Sequence, residues 1–157
     1  GLGDVYKRQA GRLPADVGVV VTADHGMVDV PHERQVLFGD GSLTDGVSTV
    51  AGEPRLLQLY TERGAAERVR DAWQRSEGAR AWVMTRDDAI ATGLFGLTDP
   101  DVAPRIGDVL VAARAEVAYY DERVADTSPR GMIGQHGSLT SAERIVPFLR
   151  VGAFARR

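Results

Sequence analysis

The sequence predicts an α/β fold that contains a parallel sheet. A short, continuously apolar segment at 18–22 is typical of a strand buried on both faces in the middle of a parallel sheet. A strand, a helix and a second strand follow one another between residues 55 and 85. A last apolar segment at 145–151, "IVPFLRV", is expected to form the final strand.

The helix between these strands is predicted from an amphipathic stripe. Ala65, Val69, Ala72 and Trp73 lie at i, i+4, i+7 and i+8, so they share one face of a helix. Gly78 follows the stripe and is expected to end the helix.

A second, short helix is predicted directly after the strand at 80–85. Thr85 is a suitable N-cap, and Asp87 and Asp88 fall in the first turn, where carboxylates complement the helix dipole. Acid–base chemistry by these two carboxylates is the less favoured interpretation.

A hairpin is predicted from the apolar strand at 108–112 and the segment "EVAYY" that follows it. The spacing of the larger aromatic residues is typical of core or hairpin positions rather than of a platform that stacks nucleic-acid bases. These residues are Trp73, Trp82, Tyr119 and Tyr120.

The composition is that of a globular protein and excludes some functions. Hydrophobic residues make up 43% of the 157 residues and charged residues 26%, with a formal net charge of -3. This balance argues against a basic face for nucleic acid. The absence of cysteine excludes disulfides and thiolate metal sites. No transmembrane segment is predicted, since no apolar run reaches about 18 residues; oligomeric state and cellular location stay open.

The first candidate site is the doublet Asp24–His25, which follows the strand at 18–22 and precedes Gly26. Successive strand side chains point to opposite faces, so the chain must leave strand geometry at this doublet for both groups to reach one point. Gly26 permits such a change of direction. A carboxylate oxygen and an imidazole nitrogen suit a zinc-like cation, and open α/β sheets bind ligands at this end of a strand. A capping aspartate and a hydrogen-bonded histidine are the alternative.

The second candidate is His136, which lies in the Gly-rich segment "GQHGSLTSAE". The flanking Gly134 and Gly137 leave the backbone free to bring the imidazole close to a bulky or charged group. A solvated or hydrogen-bonded loop histidine is the alternative interpretation. Thr140 and Glu143 have the spacing of a capping box at the start of a helical turn.

Taken together, "TADHGM" (22–27) and "GQHGSLT" (134–140), the latter followed by "IVPFL", resemble the metal-binding segments of the alkaline phosphatase superfamily. Within it, the pattern is most similar to the type I phosphodiesterases and nucleotide pyrophosphatases, and it resembles actinobacterial members of the superfamily. The resemblance extends from about Ala10 and includes "AGEPRLLQLYT", "RAWVMTRDDAIATGLFG" and "PRIGDVLVAA".

The resemblance implies an alkaline-phosphatase-like fold: a doubly wound, mostly parallel sheet that is incomplete at its N-terminal side and has a small α+β insertion subdomain. It also implies a two-metal phosphoesterase that acts on a small phosphoester or nucleotide. Asp24 and His25 would bind one divalent ion, the one that also contacts the nucleophile, and His136 would bind the other. Zinc is the expected metal, with manganese or iron as alternatives. Two such ions stabilise the attacking and leaving oxygens of an in-line displacement.

The resemblance also implies that the site is incomplete in this chain. The nucleophile and the remaining ligands are expected upstream, because no residue before Asp24 fits the pattern. Thr22 is interpreted as a strand residue whose side chain points toward the sheet interior. Residues 10–157 would then be the C-terminal part of a catalytic domain, with an inserted subdomain at about 31–131. Residues 1–9 are expected to be a non-native leader. The chain alone is expected to be inactive or nearly so.

Two alternative functions stay open. Phosphomutases of the same superfamily use similar Asp-His-Gly and His-Gly segments, so the protein could be an isomerase. Alternatively, the chain could be a non-catalytic α/β binding module in which the histidines are incidental.

Overall fold

A computed structural model describes residues 8–9, 11–14 and 16–155. Its helices are α1 (Ala66–Glu77), α2 (Arg86–Ala91) and α3 (Ser141–Arg144). Its strands are β1 (Gly18–Thr22), β2 (Val28–Asp29), β3 (Gln35–Phe38), β4 (Val47–Glu53), β5 (Leu56–Thr61), β6 (Ala81–Thr85), β7 (Val109–Ala113), β8 (Ala118–Asp121), β9 (Gly134–Gln135) and β10 (Phe148–Gly152).

The chain divides into two units. The first comprises the chain up to Gly26 and from Arg144 onward, and the second is Met27–Glu143. The range 31–131, which the sequence suggests as an inserted subdomain, falls within the second unit. Residues 1–7 of the expected leader lie outside the described residues.

The first unit contains a two-stranded antiparallel ribbon of β1 and β10, with Val20 opposite Arg150. The predicted bounds of β1 agree with the structure. Its pairing differs from the expected central parallel strand, since its described partner is antiparallel and Val20 is 42% exposed.

The second unit contains the larger sheet, in the order β4-β5-β7-β6, with antiparallel neighbours throughout. β2 pairs antiparallel with β9, and β3 pairs parallel with β8. The α/β class is therefore confirmed, while most described strand pairs are antiparallel rather than parallel. Short connections are one physical reason for the antiparallel pairing. Only two residues join β4 to β5, whereas two parallel neighbours need a long crossover connection.

The predicted hairpin of 108–112 with "EVAYY" is wrong. β7 does form there, but β8 pairs with β3, where Tyr119 is opposite Val36. The backbone N–H of Tyr119 also donates to the carbonyl of Pro54 at 2.7 Å. β8 is therefore not part of the four-stranded sheet, although its Tyr119 side chain belongs to the main core.

The main core lies between the four-stranded sheet and α1. The predicted stripe is confirmed, since Ala65, Val69, Ala72 and Trp73 are all buried. The Trp73 ring contacts the rings of Phe38 and Tyr119 edge to face, with centroids 5.1 and 5.7 Å away. Edge-to-face pairs of this kind stabilise a core beyond the area that they bury.

The capped start of α2 is also as predicted. The Thr85 hydroxyl oxygen accepts the backbone N–H of Asp88 at 3.2 Å, and Asp87 and Asp88 lie in the first turn. The two aspartates therefore have a structural role at a helix N-terminus. No helix in the described part of the chain is long and apolar enough to cross a membrane.

We expect Leu59→Ala to lower the free energy of unfolding by about 2–5 kcal/mol, because Leu59 is fully buried in the main core. Urea unfolding followed by tryptophan fluorescence measures this change. Leu97→Ala is the matched control: Leu97 is fully exposed, and a change within about 0.5 kcal/mol is expected. Equal losses in both variants would contradict the position of this core.

Candidate functional site

Asp24 and His25 follow β1 directly and lie in the first unit. The backbone N–H of His25 donates to Asp24 Oδ1 at 3.0 Å, which turns the carboxylate back toward its neighbour. The second carboxylate oxygen, Oδ2, lies 3.7 Å from His25 Nε2. The doublet therefore converges on one point, as the sequence predicts for residues that leave strand geometry.

The tautomer of His25 follows from its backbone contact. Nδ1 lies 2.8 Å from the carbonyl oxygen of Gly26, and a carbonyl can only accept. Nδ1 therefore carries the hydrogen, and a neutral ring has its lone pair on Nε2, the nitrogen nearest the Asp24 carboxylate. Metal-binding histidines are commonly oriented by a backbone carbonyl in this way.

The donor set of this doublet fits a divalent cation. Two ligands about 2.0–2.1 Å from a tetrahedral ion lie roughly 3.4 Å apart, close to the 3.7 Å between Oδ2 and Nε2. The Asp24 side chain is 88% exposed and that of His25 34% exposed, so the carboxylate is open to solvent. Among the described residues, however, no group of three or more acidic, imidazole or thiol side chains forms a metal-holding cluster.

His136 lies in the second unit and follows β9 immediately. The two flanking glycines have separate structural reasons. Gly137 adopts φ +116°, and a Cβ there would lie 2.8 Å from the Cβ of Glu53. A Cβ on Gly134 would lie 2.5 Å from the sulfur of Met27. At both positions the backbone therefore lies close to a neighbouring side chain, Met27 or Glu53, while the approach of the imidazole itself to a bulky or charged group stays a prediction.

Glu143 fixes the loop that follows His136. Its carboxylate accepts the backbone N–H of Ser138 at 2.9 Å and the hydroxyl of Thr140. The Ser138 hydroxyl in turn donates to the carbonyl of Ala113, at the end of β7. The predicted helical turn is present as α3. The Glu143 side chain contacts Thr140, as the capping-box spacing suggests, but the backbone N–H that it accepts is that of Ser138.

Arg55 is the partner of Glu143, and no sequence motif indicates it. Its Nε donates to Oε1 at 2.7 Å and its Nη2 to Oε2 at 2.9 Å, a bidentate pair. Its Nη1 donates to the carbonyls of Ala115 and Val117, which lie in the β7–β8 connection. The two charged side chains are 1% and 2% exposed. The only feature of the sequence that points to Arg55 is its place just before an apolar strand. This feature does not indicate which residue is its partner.

The ionisation of Glu143 follows from these contacts. Burial opposes the charged form, but the hydrogen bonds from Arg55, Thr140 and Ser138 outweigh it, so the pKa of this carboxyl lies below its ordinary value. The carboxylate is therefore charged at neutral pH. The loop after His136 is held by a charge-assisted network.

Thr22 lies at the end of β1, opposite Phe148, and is exposed rather than turned toward a sheet interior. Its hydroxyl donates to the carbonyl of Ala23 at 3.4 Å. The interpretation of Thr22 as a strand residue is thus consistent with its position.

Solved structures resemble this chain in fold. Human ectonucleotide pyrophosphatase/phosphodiesterase 5 is similar with a TM-score of 0.67 and 17% identity, over 96% of this chain and 38% of that one. An inactive form of the mouse counterpart in complex with AMP gives 0.67 and 18%, over 97% and 38%. Phosphonoacetate hydrolase from Sinorhizobium meliloti 1021, in complex with phosphonoacetate, gives 0.58 and 20%, over 86% and 36%. The chain thus spans little more than a third of these relatives.

The chain therefore shares its fold with part of these phosphodiesterase and hydrolase structures. The sequence matches the family model of type I phosphodiesterase / nucleotide pyrophosphatase over residues 3–139. The protein belongs to this family. A comparison with curated protein sequences finds no match.

We expect Glu143→Gln to lower the free energy of unfolding by about 3–5 kcal/mol at neutral pH, because it leaves the buried Arg55 charge uncompensated. Urea unfolding measures the loss. The control is Glu62→Gln, an exposed position where a change within about 0.5 kcal/mol is expected. A loss at Glu143 as small as at Glu62 would contradict the buried pair.

The same carboxylate gives a pH prediction. Because the folded-state pKa of Glu143 is below its unfolded value, the stability it contributes is fully present above about pH 4.3 and is lost as pH falls through the folded-state pKa. Urea midpoints measured from about pH 7 down to about pH 3 should therefore fall more steeply in the wild type than in Glu143→Gln. Parallel acid limbs in the two proteins would refute this assignment.

Proposed function

We propose that this protein contributes to a metal-dependent phosphoesterase site, in which Asp24 and His25 hold one divalent ion and His136 holds another. The observation that carries the proposal is the convergence of Asp24 Oδ2 and His25 Nε2, 3.7 Å apart, in a member of the type I phosphodiesterase family. The reaction is hydrolysis of a phosphoester bond.

The donor types support zinc, with manganese or iron as alternatives, since one carboxylate and two imidazoles suit all three. When bound, such a pair of ions would stabilise the attacking and leaving oxygens and lower the pKa of the nucleophile. The chain's own contribution is orientation. The Gly26 carbonyl fixes the His25 tautomer, and the Asp24 carboxylate accepts the His25 backbone N–H.

One strand pair of the second unit is close, along the chain, to each of the two candidate segments. β2 begins three residues after His25, and β9 ends one residue before His136. Val28 is opposite Gln135 in this pair, and the backbone N–H of Val30 donates to the carbonyl of Ile133 at 2.8 Å. Along the chain, both candidate ligand segments therefore adjoin the same hydrogen-bonded pair of strands.

The nucleophile and the remaining ligands are proposed to come from a segment of the protein upstream of Gly1. Thr22, the hydroxyl nearest the doublet in sequence, donates to a neighbouring carbonyl and lies in a strand. We therefore expect the 157-residue chain to bind metal weakly and to turn over little substrate. Robust hydrolysis by this chain would point to a nucleophile within it.

A small phosphoester or nucleotide is the proposed substrate. The mouse relative is described in complex with AMP, and the Sinorhizobium meliloti relative with phosphonoacetate. Both relatives have names that denote hydrolysis or phosphodiester cleavage, which favours a hydrolase over a phosphomutase for this chain.

We expect Asp24→Ala and His25→Ala each to weaken zinc binding at least about tenfold, because each removes one of two converging ligands. His136→Ala should weaken the binding of a second equivalent. Competition with a chromogenic chelator measures all three. His32→Ala is the matched control, since the His32 ring contacts Gln35 and lies outside both motifs.

Unchanged zinc affinity in Asp24→Ala and His136→Ala would end the metalloenzyme proposal for this chain and favour a binding module. A second assay separates the two enzyme classes. A protein that also contains the upstream residues should release the alcohol from a chromogenic phosphodiester faster than from the matching monoester. Phosphate migration without release would identify a mutase.

A further inference from the structure

A cleft of about 510 Å³ lies within the second unit, and His136 is one of the residues that line it. The other lining residues come from the β4–β5 hairpin, β8, Met27 and the segment at 124–135. Its volume falls in the range of about 300–1,000 Å³ that small-molecule sites occupy. Every residue that lines the cleft belongs to this one unit.

The walls of the cleft are mainly apolar. Among the lining residues, Leu57 and Tyr120 are buried, while Met27 and Met132 are 55% and 57% exposed. Methionine side chains are flexible and polarisable, and they adapt to ligands of irregular shape. Two exposed methionines and the buried Tyr120 in one lining therefore make a surface that an apolar group can cover.

The charged residues of the cleft lining leave a small excess of negative charge. Glu53 and Asp126 contribute two carboxylates and Arg130 one guanidinium. The third carboxylate, Asp121, is compensated by Arg123, whose Nη2 lies 2.7 Å from its Oδ2. Hydrogen bonds from Ser128 lower the pKa of Asp126, so this carboxyl is charged at neutral pH. Such a lining favours a neutral or cationic group over additional phosphates.

We propose that this cleft binds the organic group of a phosphodiester substrate, an apolar alcohol that is neutral or cationic, with the phosphate beside His136. The inference rests on the proposed phosphoesterase function and adds a substrate class to it. It favours esters with a single phosphate over substrates whose leaving group is itself a polyphosphate.

The three methionines of the chain allow a direct test, because two line the cleft and the third does not. Met84 lies on β6 and packs against the cluster of Ala89, Ile106 and Leu110. We would label the methyl groups with ¹³C and titrate with phenylphosphonate, which joins an apolar ring to a phosphate-like anion. Methylphosphonate, which has the anion without the ring, is the ligand control.

The expected result is a saturable shift of the Met27 and Met132 signals with phenylphosphonate, no shift of Met84, and no comparable shift with methylphosphonate. Met132→Ser should weaken phenylphosphonate binding at least about fivefold, read from Met27, because it removes one wall of the cleft. Leu97→Ser is the control variant, since Leu97 is exposed outside the cleft, and its affinity should be unchanged.

The outcomes separate this inference from the metal proposal. Shifts of Met27 and Met132 that zinc does not strengthen would support the cleft while counting against a metal-bound phosphate beside it. Equal effects of the two phosphonates, the absence of any shift, or unchanged affinity in Met132→Ser would overturn the inference. Met27 and Met132 signals that change with protein concentration in the absence of ligand would assign the cleft to a second copy of the chain, and would also overturn it.

Discussion

The buried pair of Arg55 and Glu143 is the constraint on which the second unit depends. It joins the start of β5, the connection from β7 to β8 and the loop after His136. A buried ion pair adds little net stability compared with packed apolar residues of the same volume, but removal of one partner is costly. Its value is therefore geometric. The pair fixes the point where three chain segments meet, and one of these segments directly follows the candidate ligand His136.

The sequence predicts local structure in this fold better than it predicts pairing. The stripe through Trp73 and the cap at Thr85 depend on neighbours three to eight residues away, and both are confirmed. The partner of β8 depends on β3, about eighty residues earlier, and no local pattern contains that information. The same holds for β1, whose apolar residues predict a central strand but whose described partner is β10.

In the candidate site, too, local features can be predicted from the sequence and long-range contacts cannot. Asp24 and His25 are adjacent, so a motif of a few residues is enough to predict their convergence, and the structure adds the tautomer through Gly26. Arg55 and Glu143 are 88 residues apart, and each alone resembles an ordinary surface charge. The cleft cannot be predicted from the sequence for a similar reason. Its walls come from separate segments, and none of them has a pattern that differs from that of an ordinary core or loop.

The short β9 strand links the cleft to the candidate metal ligand. Gln135 is buried and donates to the carbonyl of Met132, while β2 pairs with β9 along its length. On one side of His136, Gly134 packs closely against Met27; on the other, Gly137 approaches Glu53, and both of these side chains line the cleft. The loop beyond is anchored to Arg55 through Glu143. The backbone on both sides of His136 is thus held by hydrogen bonds. Such preorganisation would reduce the conformational entropy that is lost when a ligand binds in the cleft.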